Sequence, residues 1–133
     1  FDRVYIDTPP AFNFFTLSAL IAADRVIVPF DCDIFSKRAL QTLVQNILET
    51  RQDHNSDLLI EGIIVNQFDP RANLPKEVVQ TLVNEGYPVY DTKLSPSIIM
   101  KQSHHQSLPL IYLDAKHKLT QQYAALYQEI ESR

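Results

Sequence analysis

Glycine is nearly absent from this chain. Gly62 and Gly86 are the only two among 133 residues. A loop that wraps its backbone N–H groups around phosphates needs about two to four glycines, because Cβ atoms would clash there. Neither glycine is followed by Lys-Ser or Lys-Thr. These residues therefore cannot build a phosphate-cradling loop.

Cysteine, positive charge and long apolar runs are also scarce. The single Cys32 excludes an intrachain disulfide and favours a reducing, cytoplasmic setting. The formal net charge is -4, so any DNA contact would depend on a local patch or on a partner. No apolar run approaches the ~20 residues of a membrane span. The chain opens with Phe1 and not with methionine, and we expect it to be part of a longer protein.

The rest of the composition predicts a single globular domain over residues 1–133, with 45% hydrophobic and 21% charged residues. Apolar, β-branched runs alternate with stretches of helical periodicity. Strands are predicted at residues 4–6, 25–30 and 58–65, and a short strand or extended segment at 88–90. Helices are predicted at 14–23, 36–51, 75–85 and 119–131. A helical turn is predicted near residues 98–104, and an extended segment at 109–112. This alternation predicts an α/β fold with a mainly parallel sheet and flanking helices.

Individual residues predict where two of the helices begin or end. Ser36 is the expected N-cap of the second helix. Pro75 is expected at the first position of the third helix, with Gly86 just past its end.

The motif with chemical content is the apolar run Val4-Tyr5-Ile6 followed by Asp7. A carboxylate at the carboxyl end of a buried strand can orient a water molecule of a Mg²⁺ shell beside phosphates. The adjoining Thr8-Pro9-Pro10 would form a stiff loop, since successive prolines cannot continue a ladder. By itself, an aspartate after a strand is more often only a turn cap.

The longer string is more specific. Residues 4–11, 17–24 and 26–29 read VYIDTPPA, LSALIAAD and VIVP. Together they closely resemble the ParA/Soj family of deviant-Walker partition ATPases. The resemblance continues through residues 61–66, 68–71 and 123–126 and is looser after residue 90. It implies the C-terminal part of a P-loop NTPase domain that begins just before the Walker B strand.

The resemblance also implies what this chain lacks. The family has a deviant Walker A loop, Lys-Gly-Gly-x-Gly-Lys-Thr/Ser, near its N-terminus. In the family sheet the P-loop strand lies beside the Walker B strand. We therefore expect a gap between the strands at residues 4–6 and 26–29. Direct pairing, strand exchange between chains, or a dimer would close it.

Family roles are carried to matching residues only. Asp7 matches the catalytic Walker B aspartate, which helps to place Mg²⁺ through a water molecule. The catalytic switch loop is matched by Thr8, Pro9 and Pro10. Asn66 matches an adenine-contacting position, with a turn residue as the alternative. Asp69 lies in the family's Asp-x-Arg pattern, where a local turn is the slightly preferred interpretation. The segment Leu94-Ser95-Pro96 matches one that borders the base.

DNA contact is the point at which the sequence departs from the family. Pro96 stands where the family commonly has arginine, and Ile99 where a second basic residue often occurs. Lysines could supply a replacement patch, since phosphate contact needs only positive charge and reach. The candidates are Lys93, Lys101, Lys116 and Lys118, for which solvated surface is the more frequent explanation.

For the full-length protein, the resemblance implies a cytoplasmic, nucleoid-associated bacterial ATPase for plasmid or chromosome partition. It would bind ATP and Mg²⁺, dimerise, contact DNA non-specifically and respond to a ParB-like partner. This chain alone is predicted not to bind ATP and to be inactive. The C-terminal helix is not basic, so membrane targeting as in the MinD relatives is disfavoured. Two alternatives remain, which are an amidoligase of the cobyrinic acid synthase type and a non-enzymatic dimerisation module.

Overall fold

A computed structural model describes residues 1–32 and 34–133, with the side chains of residues 34–36 also outside the description. Six helices and two strands follow one another along the chain. In order they are α1 Phe14–Ala22, β1 Arg25–Asp31, α2 Ile34–Asp53, β2 Leu59–Asn66, α3 Asn73–Asn84, α4 Ile99–Gln106, α5 Leu110–Leu113 and α6 Lys118–Glu131. No helix in the described part of the chain is long and apolar enough to cross a bilayer.

The sheet is built on the parallel pair of β1 and β2. Arg25 pairs with Leu59 at one end, and Asp31 pairs with Asn66 at the other. A parallel bridge from Ile63 to Val89 extends the pairing beyond β2. On its other edge, β1 has no strand partner among the described residues.

Helices cover both faces of this sheet, which gives the α/β architecture expected from the sequence. One buried cluster joins α1, α2 and α3 to the strands through Leu20, Leu40, Ile47, Leu82, Val28 and Ile63. A second cluster joins α4, α5 and α6 through Ile99, Leu110, Leu119 and Leu126, with Ile27 and Ile64 packed against it. Alternate strand residues thus serve opposite faces, as strands buried on both sides require.

The strand predicted at residues 4–6 is not formed. Residues 1–9 have no regular structure, and all of them are exposed. Val4, Tyr5 and Ile6 expose 77%, 64% and 54% of their surface, although they are apolar. A strand needs a hydrogen-bonded neighbour, and the described part of the chain offers none beside this segment. The direct pairing considered for closing the gap therefore does not occur within the chain.

The remaining elements agree with the sequence in place and type, with one exception. Residues 109–112 were expected to be extended, but Leu110–Leu113 is a short helix with Leu110 buried in the second cluster. The prediction failed because Pro109 suits the N-cap position as well as an extended segment.

The predicted helix ends met different outcomes. Gly86 follows the end of α3 with φ +83°, as predicted. Pro75 lies two residues inside α3, not at its first position. The capping predicted for the Ser36 side chain lies outside the described residues.

Gly62 is required by the packing of the sheet against Tyr90. An added Cβ at Gly62 would lie 2.3 Å from Cε2 of the Tyr90 ring. Tyr90 is fully buried. The guanidinium carbon of Arg133 lies 4.2 Å from the centroid of the Tyr90 ring and makes a cation–π contact with it. The ring therefore has no free side toward which it could shift.

Gly62→Ala is expected to destabilise the protein by about 2–3 kcal/mol, because the buried ring must be displaced. Gly86→Ala is the matched control. Its Cβ would meet nothing within 4 Å, so only the positive φ costs energy, about 1 kcal/mol. Urea unfolding of the three proteins measures both losses. Equal losses would contradict the packing argument, and adding Tyr90→Leu should recover part of the Gly62→Ala loss.

Candidate functional site

Polar side chains meet where β1 and β2 end. The Asn66 Nδ2 donates a hydrogen bond of 2.8 Å to Oδ1 of Asp31, its partner in the strand register. A cavity of about 440 Å³ opens beside them and is lined by Val28, Pro29, Phe30, Asp31, Ala39, Leu40, Leu43 and Asn66. In open parallel sheets, ligands bind outside the carboxyl ends of the strands, where this cavity lies.

The hydrogen bond to Asp31 fixes the orientation of the Asn66 amide. An ionised carboxylate only accepts hydrogen bonds, so the Asn66 NH₂ group must face Asp31. The Asn66 Oδ1 is then directed away from Asp31 and remains available as an acceptor. Gln67 follows in the left-handed region with φ 54° and turns the chain out of the strand.

The loop at Leu94 is joined to the same end of β2. The Leu94 N–H donates to the carbonyl of Val65 at 2.9 Å, and the Leu94 carbonyl accepts from Phe68 N–H at 2.9 Å. Leu94 itself is buried, while Pro96 is exposed. The structure therefore brings Leu94 next to the end of β2 at Asn66, but Leu94, Ser95 and Pro96 are not among the residues that line the cavity.

Helix α6 holds this loop in place. The Ser95 N–H donates to Oε1 of Gln122 at 3.0 Å, and the Gln122 Nε2 donates to Oγ of Ser95 at 3.0 Å. About two turns further along α6, the Glu129 carboxylate accepts from the N–H groups of Asp91 at 2.6 Å and Thr92 at 2.9 Å. Burial would raise the pKa of Glu129, but these hydrogen bonds and Arg133 lower it overall.

The segment with Asp7 lies elsewhere. Asp7 is exposed and makes no hydrogen bond or ion pair with the described residues. The turn after it is ordered, because Ala11 N–H donates to Pro9 O at 2.7 Å and Thr16 Oγ1 donates to Ala11 O at 2.7 Å. The Asn13 side chain then caps α1. A carboxylate suits Mg²⁺, but Asp7 alone is one oxygen donor and not a complete ligand set.

A wide gap separates the Asp7 segment from β1. Its volume is about 950 Å³. Residues 1–6 and Thr8 line one side, Arg25–Pro29 line the other, and α1 and the end of α6 close it. The structure therefore does not bring Asp7 to Asn66. Asp7 is not among the residues that line the cavity at Asn66.

The other predicted residues have more local roles. The Asp69 Oδ1 accepts from Arg71 N–H at 2.9 Å, which is a local turn contact. The Lys93 Nζ donates to the carbonyls of Tyr90 at 2.7 Å and Asp91 at 3.0 Å, so this ammonium supports the loop. Lys101, Lys116 and Lys118 are exposed. In the described part of the chain no group of histidine, cysteine and acidic residues could hold a metal ion.

Asp31, Gln122 and Glu129 were missed by the sequence analysis. Asp31 directly follows an apolar strand, and this signal was available in the sequence. Gln122 and Glu129 gave none, because their partners lie 27 and 37 residues away in the chain.

Three comparisons with known proteins bear on these residues. A family model described as an AAA domain matches residues 1–60. The chromosome partitioning protein ParA of Myxococcus xanthus is 33% identical over all of this chain and 47% of its own length. The chromosome-partitioning ATPase Soj of Treponema pallidum is 30% identical over all of this chain and 53% of its own length. The chain thus spans about half the length of the curated relatives it matches.

Solved structures agree on the fold. Cobyrinic acid a,c-diamide synthase from Mycobacterium smegmatis, with bound ATP analog and magnesium, matches with a TM-score of 0.62 and 27% identity. The match covers 68% of this chain and 37% of that protein. A form of the same enzyme with ADP and magnesium matches 83% of this chain with 23% identity and the same TM-score of 0.62. These matches confirm the predicted P-loop NTPase type of α/β fold.

Gln122→Ala should loosen the Leu94–Pro96 loop, because it removes both hydrogen bonds to Ser95. We expect a loss of about 1–2 kcal/mol in the free energy of unfolding, together with faster amide exchange at Ser95. Gln122→Glu is the control, since its carboxylate still accepts from the Ser95 N–H and O–H. If both variants lose the same stability, the loop is not held by these bonds.

Proposed function

We propose that this chain is part of an ATPase that partitions a chromosome or plasmid, because it is similar over its whole length to ParA/Soj-type partition ATPases and spans about half of theirs. The full-length protein would bind ATP and Mg²⁺, dimerise on ATP and act in the bacterial cytoplasm. This chain would form the C-terminal portion of the ATPase domain. The phosphate-binding loop would come from another part of the full-length protein.

The gap beside β1 is the observation that carries this proposal. A P-loop strand requires an open sheet edge between the Asp7 segment and β1, and a gap of about 950 Å³ lies there. The two sides of the gap could both be covered by one added strand. The Val4–Ile6 segment exposes apolar residues, and β1 has a free edge in the described part of the chain. A strand inserted between them would cover the apolar surface and pair the backbone groups.

With that strand in place, the residues of this chain would have separate roles. Asp7 would hold a water molecule of the Mg²⁺ shell, and Thr8-Pro9-Pro10 would border the γ-phosphate. Asn66 would offer its free Oδ1 to the amino group of adenine, and Leu94-Ser95-Pro96 would border the base. The magnesium ion would supply the charge that offsets the developing negative charge on the phosphates.

DNA and a ParB-like protein are the partners proposed for the whole protein. Of the four candidate lysines, Lys101, Lys116 and Lys118 have exposed side chains with no hydrogen bond or ion pair in the described part of the chain. Lys93 is engaged by backbone carbonyls. Any lysine-based phosphate contact would therefore depend on the first three. Their attraction would weaken as salt is added.

The similarity to cobyrinic acid a,c-diamide synthase favours a second candidate, an ATP-dependent amidoligase. That match covers 68% of this chain, whereas the sequence similarity to ParA and Soj extends over the whole of this chain. The partition function is therefore the better supported of the two. A non-enzymatic dimerisation module is the third alternative and would need no nucleotide.

Asp7→Asn in the longer protein should reduce Mg²⁺-dependent ATP hydrolysis on the order of 100-fold, because a charge next to the metal is lost. Asp2→Asn changes a similarly exposed aspartate of the same segment and should leave the rate unchanged. The 133-residue chain alone should show no ATP affinity by calorimetry. Tight Mg-ATP binding by this chain would refute the argument from its missing glycines. An unchanged rate in Asp7→Asn would refute the role of Asp7.

A further inference from the structure

Glu61 occupies a β-bulge next to the gap. Val26 of β1 pairs with Ile60, but the next residue, Ile27, pairs with Gly62, so Glu61 has no partner in the register. A bulge leaves one extra residue unpaired and turns its side chain away from the regular alternation. Glu61 is accordingly one of the residues that line the gap.

One oxygen of the Glu61 carboxylate is buried without a hydrogen bond. The Glu61 side chain is only 8% exposed, and Oε1 has no hydrogen-bond partner among the described residues. The Arg25 Nη1 lies 3.5 Å from Oε1, within ion-pair distance, but makes no hydrogen bond to it. A buried carboxylate without a hydrogen bond destabilises the folded protein, unless a donor group is supplied to it.

Two further arginine–glutamate pairs lie at this end of the gap. Arg3 contacts Glu131 at 3.0 Å, and Arg133 contacts Glu129 at 3.3 Å. The Arg133 Nη1 also donates to the carbonyl of Glu61 at 3.3 Å, which holds the bulge in place. Among the described residues, Glu61 differs from Glu129 and Glu131 because one of its carboxylate oxygens is buried without a hydrogen bond.

We propose that Glu61 is the recognition point for a lysine or arginine at the start of the β-strand that fills the gap. The inference rests on the proposed function, in which a strand from the rest of the protein occupies this space. It adds the chemical identity of the residue that enters beside Glu61. The contact selects the register of the incoming strand, since a shift by one residue would move the cation to the opposite face.

The direction of the sheet decides which end of the strand carries the cation. β1 and β2 are parallel, and Glu61 lies near their amino ends. A parallel strand added at the free edge of β1 would begin at this end. It would lie two strand spacings of about 4.8 Å from β2. A glutamate and a lysine side chain together span that distance.

The test uses the 133-residue chain and three synthetic ten-residue peptides. All three carry the same alternating Val, Thr and Ile sequence, blocked ends and a C-terminal fluorophore, and they differ only in their first residue, which is Lys, Met or Glu. Fluorescence anisotropy gives the dissociation constants. We expect the Lys peptide to bind about tenfold more tightly than the Met peptide, as a charge-assisted hydrogen bond implies, and the Glu peptide to bind most weakly.

Variants at position 61 test the contact directly. Glu61→Gln should abolish the preference for Lys, and Glu61→Lys should reverse it in favour of the Glu peptide. Glu77→Gln, which removes an exposed carboxylate on α3, should change nothing. If Glu61→Lys does not fold, Glu61→Gln alone still decides the matter.

The outcomes separate this inference from the function on which it rests. Equal binding of all three peptides would overturn the role of Glu61 and leave the strand site intact. Binding with a preference for Lys that persists in Glu61→Gln would overturn the role of Glu61 in the same way. No binding of any peptide would overturn both the strand site and the inference.

Discussion

The free edge of β1 is the constraint on which the rest of the structure depends. Backbone N–H and C=O groups on a strand edge need partners, and β1 finds them on one side only in the described part of the chain. Helices cover both faces of the strand pair, but no described residue pairs with the outer edge of β1. The Val4–Ile6 segment beside it therefore stays irregular, and its apolar residues stay exposed.

The same constraint divides the candidate site into two parts. One part holds Asn66, which Asp31 orients, and the loop at Ser95, which α6 holds. The other part holds Asp7, which lies on the irregular segment across the gap. In the proposed function the first part would border the base and the second would help to bind magnesium. The phosphate-binding loop between them would come from the longer protein, since the two glycines of this chain cannot build it.

Local patterns in the sequence were sufficient for most of the fold. The apolar runs that became β1 and β2 and the periodic stretches that became the helices were found at nearly their observed bounds. The prediction of a strand at residues 4–6 was wrong. A strand forms only beside a hydrogen-bonded neighbouring strand, and the apolar pattern of one segment does not show whether such a neighbour exists. The family resemblance singled out Asn66 and the Leu94 loop, and their role at a nucleotide stays a prediction. Glu61 and Gln122 were not found, because a bulge and long-range hydrogen bonds leave no local pattern.

Amide hydrogen exchange at Val4–Ile6 and along β1 tests the central claim most directly. The measurement compares the 133-residue chain with the longer protein that is proposed to contain it. If a strand fills the gap, these amides should exchange at least about tenfold more slowly in the longer protein, equivalent to about 1.4 kcal/mol of added protection. Equally fast exchange in both proteins would mean that no strand occupies this edge, and the account would be wrong.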